Sequence, residues 1–387
     1  MSTRMKKSIA KLLTEWIPSS RYRRAVRRAL CEVPSPKMFR KAPYSTASGK
    51  RYSTLVVPRG FGHSGSGVIG DLLSEYSGTT VFGGADPDGS GRFAGAGKAN
   101  MTSFEVDLLK MPGGVIDLAS AFGESRAWGK FKLLDFIHVV EYLYRMPNIP
   151  IYDDAFLLRS RAFVDELVEA RWRSATPLAE SQPFEMHAAP PDMRPDMLNP
   201  LYGWRENLAE SYVMKNLTRA EYEGIARRYM DDVLSSIPSN RILVMDQLLS
   251  VDLAPEELEK YVGPFRLIAV YRDPRDVFAT GALHNMPWIP NDPHAFVKWY
   301  ASLGIERLRA CGHSSVLVLR FEDLVCGYER SVAAIEDFVG LSPGDHVRPK
   351  SGFDPARSSA NIGIWRNWPD SAAMDCIRGE LEGYCCD

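Results

Sequence analysis

No stretch of this sequence stays apolar long enough to span a bilayer; its hydrophobic runs are short and broken by charge. The first residues also lack the apolar core and small-residue cleavage site of a secretory signal, so a cytoplasmic protein is expected. Cysteine is sparse, with Cys31, Cys311, Cys326, Cys376, Cys385 and Cys386 scattered through 387 residues. None sits with another Cys or a His at zinc-binding spacing, and the density is too low for a disulfide scaffold. A reducing compartment fits that usage. Cys385-Cys386 does not match a prenylation box and reads as a frayed terminus. Net charge is scarce as well, at -1, which argues against nucleic acid as the partner.

What the chain does have is 45% hydrophobic residues, ample for a large core. Its organising stretch is residues 55–76, LVVPRGFGHSGSGVIGDLLSEY. Leu55, Val56 and Val57 read as a buried strand, and Val68, Ile69, Leu72 and Leu73 as one face of a helix. Gly60, Gly62, Gly65 and Gly67 lie between, interleaved with Ser64 and Ser66. A strand that turns through glycine into a helix directs backbone N–H groups and a positive helix end at one point, which suits a phosphate. Gly60 and Gly65 are spaced as in a nucleotide-triphosphate loop, but the next two residues are Ser66 and Gly67. The lysine for the outer phosphates and the hydroxyl for magnesium are both missing. The other reading is an ordinary glycine-rich turn between a strand and a helix.

Residues 1–30 are basic: Arg4, Lys6, Lys7, Lys11, Arg21, Arg23, Arg24, Arg27 and Arg28 face only Glu15. Ile9, Leu12, Leu13, Trp16 and Ile17 recur at helical spacing, so this arm is expected to lie on an anionic membrane surface, with a solvated tail or a helix packed on its own domain as the alternatives. Residues 16–30, WIPSSRYRRAVRRAL, resemble the N-terminal arms of bacterial envelope-polysaccharide enzymes. Residues 31–50, with Pro34, Pro36 and Pro43, read as a linker. A single α/β domain over 51–387 follows. Short strands at 79–82, 242–245, 267–270 and 316–319 alternate with helices, which predicts a parallel, doubly wound sheet. The span 103–236 is mostly helical in pattern, including residues 153–173, and reads as an insertion.

The strand at 267–270 runs into YRDPRDVFATGALH. Arg272 ends the strand, Pro274 suits a first helical turn, and Thr280 follows eight residues after Arg272. An arginine fork and a hydroxyl at such a junction can hold a second phosphate. An Arg–Asp ion-pair cluster around a helix start is the plainer reading. Two cradles without magnesium ligands describe a nucleotide phosphorylated at both 5′ and 3′ positions.

His63-Ser64-Gly65-Ser66-Gly67 and Arg272-Asp273-Pro274-Arg275-Asp276-Val277 with Thr280 resemble the two phosphate-binding motifs of the sulfotransferase superfamily. Residues 319–340, opening Leu-Arg-Phe-Glu-Asp-Leu, and residues 357–367, RSSANIGIWRN, resemble its late strand–helix and closing segments. The resemblance covers roughly 53–86 and 241–368 and implies a P-loop sulfotransferase fold. It also implies 3′-phosphoadenosine 5′-phosphosulfate (PAPS) as co-substrate and no metal. His63 stands where Arg or Lys is usual. It would steady the leaving group as an imidazolium, with Arg59 as a further cation. Arg59, Gly62, His63, Ser64, Gly65, Ser66 and Gly67 are expected around the 5′ end. Arg272, Thr280, Arg357 and Ser358 are expected around the 3′-phosphate, with Trp365 on the adenine. The resemblance points to Asp86 as general base, with Asp88 close behind; Asp86-Pro87-Asp88-Gly89 is otherwise a simple turn. Glu322 and Asp323 are assigned to capping. The expected reaction is in-line sulfuryl transfer to a hydroxyl or amine of a cell-envelope glycan or glycolipid. A P-loop kinase and a non-catalytic nucleotide-binding protein are the alternatives.

Overall fold

Aliphatic and β-branched runs form the strands on which the molecule is built. The computed structural model describes residues 52–82, 108–122, 126–144, 151–174, 209–237, 239–249 and 251–386. All of these lie within one unit, Thr46–Asp387. Strand β1 (Thr54–Gly60) turns through the glycine loop into helix α1 (Gly67–Leu73), and β2 (Thr79–Val81) follows. Helices α2 (Arg126–Tyr144) and α3 (Asp154–Leu167) lead to strands β3 (Val168–Ser174) and β4 (Ala209–Met214), then α4 (Arg219–Ser235). Next come β5 (Ile242–Val244), α5 (Pro255–Val262), β6 (Phe265–Tyr271), α6 (Pro274–Leu283) and α7 (Pro293–Ala301). β7 (Val316–Arg320), α8 (Phe321–Cys326), α9 (Tyr328–Val339) and α10 (Ser371–Leu381) follow, and shorter helices lie at Val115–Leu118, Ile305–Ala310 and Pro355–Ser358.

Five strands form one sheet in the order β2-β5-β1-β6-β7, and every pairing in it is parallel. This is the parallel α/β sheet that the strand–helix alternation predicts. Val56, Ile268 and Val270 share one face with Ile69, Leu72, Leu324 and Ile335 in a single buried cluster. Strand side chains alternate, so Leu55, Val57, Leu267 and Ala269 face the other way, and they too are at most 1% exposed. Both faces are therefore covered, as a parallel sheet requires. Each buried Leu or Ile contributes roughly 1.5–3 kcal/mol of transfer free energy.

β1 lies at the centre. After it the chain moves out to β2 and back to β5 on one side, then crosses to β6 and β7 on the other. The order reverses at β1, and its neighbours β5 and β6 end beside it: Gly60 pairs with Val270, and Val56 with Val244. Ligands of open parallel sheets bind outside the carboxyl ends at such a reversal. The loops that leave β1, β5 and β6 meet there.

One expectation for the 103–236 span is corrected. The helical pattern of residues 153–173 ends at Leu167, and Val168–Ser174 is instead a strand, paired antiparallel with Ala209–Met214. Asp153 starts the helix by accepting from the Phe156 amide at 2.9 Å, and Val168 turns extended at φ -101°. The partner strand lies some way along the chain, so no local periodicity reports it.

Candidate active site

Glycine shapes the loop after β1 for a specific steric reason. A Cβ on Gly60 would sit 2.5 Å from the Ser66 hydroxyl and 3.0 Å from that of Ser64. A Cβ on Gly65, whose φ is +90°, would sit 2.4 Å from the Phe321 ring. Gly62 also has positive φ, and its Cβ would press on Trp299. Gly67 begins α1 with nothing within 4 Å of its Cβ position, so the mouth of the loop is open there.

The two loop serines have different duties. Ser64 is buried; its hydroxyl donates to the Val270 carbonyl at 2.6 Å and accepts from the Phe61 amide at 2.9 Å. It pins the loop to β6 rather than offering a hydroxyl to a ligand. Ser66 is the N-cap of α1, yet its side chain caps nothing. It accepts from Gln247 Nε2 at 3.1 Å and hydrogen-bonds the Asp246 carboxylate. Arg59, expected as a cation for the loop, donates to Gln247 Oε1 at 2.5 Å. Burial pushes its pKa down and Asp246 pushes it back.

His63 adopts φ +54°, an uncommon backbone state for a residue with a side chain. Its exposed imidazole lies parallel to Trp288, with ring centres 6.2 Å apart. Desolvation, then His284, then Arg272 lower its pKa, which favours the neutral ring.

Arg272 is the hub. It is 5% exposed. Nη1 donates to the His63 carbonyl at 3.2 Å, Nη2 donates to the Asn361 carbonyl, and the Phe321 ring lies 5.5 Å away. One guanidinium thus ties the glycine loop to the closing segment. Its Nε is buried with no partner, and so is the Thr280 hydroxyl oxygen two turns along α6. Buried polar atoms are rarely left unpaired without a reason. An anion between them would supply the missing acceptor, so these residues fit a phosphate.

The rest of the motif is saturated. Asp273 caps α6 through the Arg275 amide, pairs with the Arg275 guanidinium at 2.7 Å and accepts from the Cys386 amide at 2.8 Å. Arg275 also donates to the Cys386 carbonyl and lies 3.8 Å beneath the Trp365 ring. The Cys385-Cys386 tail is therefore pinned to the motif at Cys386, not frayed. Burial raises the Asp276 pKa, and its carboxylate receives the Gly363 and Trp365 amides at 2.8 and 3.0 Å. Glu322 does not cap its helix: it accepts from the Asp273 amide at 3.0 Å.

Trp365 thus has Arg275 on one face. Arg357 is exposed on the short helix Pro355–Ser358, and Ser358 is half-buried. An open cleft of about 560 Å³ has Leu283, Ile362, Ile364 and Trp368 among its lining residues. Asp86, Asp88 and the arm of residues 1–30 lie outside the described residues. Sequence reasoning missed Asp246 and Gln247. The signal was their place, two and three residues beyond the end of β5, the strand next to β1.

No protein-family model matches this chain, and no curated protein does. Two solved structures are similar in fold. The sulfotransferase domain of the Synechococcus PCC 7002 olefin synthase is 14% identical over 89% of this chain and 99% of its own, with a TM-score of 0.34. Retinol dehydratase, solved in complex with androsterone and inactive cofactor PAP, is 14% identical over 86% of this chain and 81% of its own, with a TM-score of 0.32. Neither likeness bears on activity; the groups just described do.

Proposed function

We propose that this protein is a sulfotransferase that moves a sulfuryl group from PAPS to a hydroxyl or amine of an acceptor. The observation that carries the reading is the pair of buried, partnerless groups, Arg272 Nε and Thr280 Oγ1, beside a glycine loop at the reversal point of the sheet. In this reading Arg272, Thr280 and the closing segment with Arg357 and Ser358 hold the 3′-phosphate. The apolar cleft at Ile362 and Ile364 suits a purine ring. Gly65, Ser66 and Gly67 face the 5′ end. The co-substrate, when bound, supplies an activated sulfuryl group on a phosphate leaving group.

The residues contribute position and charge rather than covalent chemistry. His63, whose pKa is lowered by desolvation in the free protein, gains a proton when an anion settles beside it, and the imidazolium then faces the charge on the leaving oxygen. Asp86 is the base that would take the acceptor's proton. The acceptor class proposed is a cell-envelope glycan or glycolipid, with residues 1–30 holding the enzyme to an anionic bilayer. Deleting that arm should release the protein from anionic vesicles in a flotation assay; unchanged flotation removes the arm from the proposal.

Calorimetry with 3′,5′-bisphosphoadenosine tests the function. Binding without magnesium is expected, followed by sulfate transfer in an acceptor screen with labelled PAPS. Preference for ATP with magnesium would make it a kinase. Binding with no transfer to any acceptor would leave a nucleotide-binding protein.

A further inference from the structure

The sulfotransferase reading leaves one buried carboxyl group without a task. Asp246 lies two residues beyond the end of β5, which pairs in parallel with β1, the strand that leads into the glycine loop. One of its oxygens, Oδ1, is buried with no partner. Ser66 donates its hydroxyl proton to this carboxylate, and Gln247 donates to the Ser66 oxygen at 3.1 Å. Gln247 is held in turn by Arg59 at 2.5 Å and by its own amide on the Pro58 carbonyl at 2.8 Å. Gln247 has φ +62°, a backbone state that those bonds support. A Cβ on Gly60 would displace the Ser66 hydroxyl, so the loop is cut to keep that hydroxyl over Asp246.

A hydroxyl has one proton. While Ser66 gives it to Asp246, it has none for a phosphate oxygen. An anion seated against Ser66 would also lie close to a second negative charge in a partly buried place, where repulsion is weakly screened. Both costs vanish if the carboxylate takes up a proton.

We propose that Asp246 is a proton-coupled positioning residue for the 5′ end of the bound nucleotide. With the cradle free it accepts from Ser66. When an anion arrives it takes one proton from solvent, and the Ser66 hydroxyl turns to the anion. No other bond changes, and the charge added by the ligand is offset by one. This inference rests on the sulfotransferase reading. The charged groups that act on Asp246 are Arg59 on β1, which favours its ionised form, and Asp71 on α1, which opposes it. Burial already lifts its pKa from 3.8 to about 6, so little further shift is needed for uptake near neutrality.

The test is calorimetry of 3′,5′-bisphosphoadenosine binding near pH 7 in buffers of different ionisation enthalpy, which counts protons. His63 also gains a proton beside an anion, so it is silenced with His63→Gln. Net uptake is expected to persist in His63→Gln. It should disappear in Asp246→Asn combined with His63→Gln, with binding up to about tenfold tighter at pH 8. Uptake that vanishes in His63→Gln alone assigns the proton to the imidazole and overturns the inference. Equal uptake with and without the Asp246 carboxyl does the same and leaves the function intact. No binding by the wild-type protein overturns both. Should the Asp246 variant misfold, loss of the uptake in His63→Gln still overturns the inference.

Discussion

Glu75, just beyond the C-terminal end of α1, has all the hydrogen bonds its burial demands, whereas the buried groups near Ser66, at the other end of the same helix, do not. Glu75 is fully buried. It accepts from the amides of Lys350, Gly352 and Phe353 at 2.9, 2.9 and 2.7 Å and from His346 Nε2 at 2.6 Å. Tyr76 stacks on that His at 4.2 Å. Around Ser66 and Arg272, the buried atoms that lack partners include Arg59 Nε, Asp246 Oδ1, Arg272 Nε, Thr280 Oγ1 and Glu322 Oε2. The first cluster is complete as the chain folds. The second is complete only with something added. Saturation separates scaffold from site here better than charge or burial does, since both clusters are charged and buried.

The comparison breaks most visibly at Glu75. Glu75→Ala strands three amides, and a loss of roughly 3–5 kcal/mol is expected in chemical denaturation. Affinity for the bisphosphate in the folded fraction should hold. Arg272→Ala acts on both counts: calorimetry should show binding weakened by roughly 1.5–3 kcal/mol, with some stability lost because the His63 and Asn361 carbonyls lose their donor. Arg272→Lys should recover only part, because an ammonium cannot reproduce the fork.

Asp246 offers a test without ligand. Its folded pKa of about 6 lies above the ordinary aspartate value of 3.8, so the folded protein holds this proton more tightly than the unfolded chain does. Stability therefore falls as pH rises from about 4 to 6, and the penalty persists above that window. Asp246→Asn should be more stable than wild type at pH 7 by about 1–3 kcal/mol and no different near pH 4. The reverse order in thermal melts would place Asp246 with the scaffold. The smallest effect is the sharpest. Thr280→Val removes an oxygen with no partner, so melting should hardly move while bisphosphate binding weakens about fivefold. A drop in melting temperature with unchanged binding would show that the hydroxyl belongs to the fold.

Much of this was legible in the chain because it is local. The strand, glycine loop and helix of residues 54–73 occupy one continuous stretch, and so do Arg272, the Pro274 helix start and Thr280. The strand–helix alternation gave the parallel sheet for the same reason. What stayed hidden depends on partners distant in sequence. Val168–Ser174 is a strand only because Ala209–Met214 lies beside it. Glu75 looks like a surface acid until residues 346–353 wrap it. Cys386 looks free until Asp273 takes its amide. Asp246 reads as a loop residue unless β5 is known to adjoin β1. The division of the Arg272 motif into spent and waiting groups was out of reach too, since spacing shows what a side chain is and not what it touches.

The guanidinium of Arg272 joins carbonyls 209 and 89 residues away along the chain. Contacts of that span close late and slowly, after the sheet that carries them has condensed. The pocket should consequently be among the last features to appear during refolding, and recovery of nucleotide binding should lag the recovery of circular dichroism.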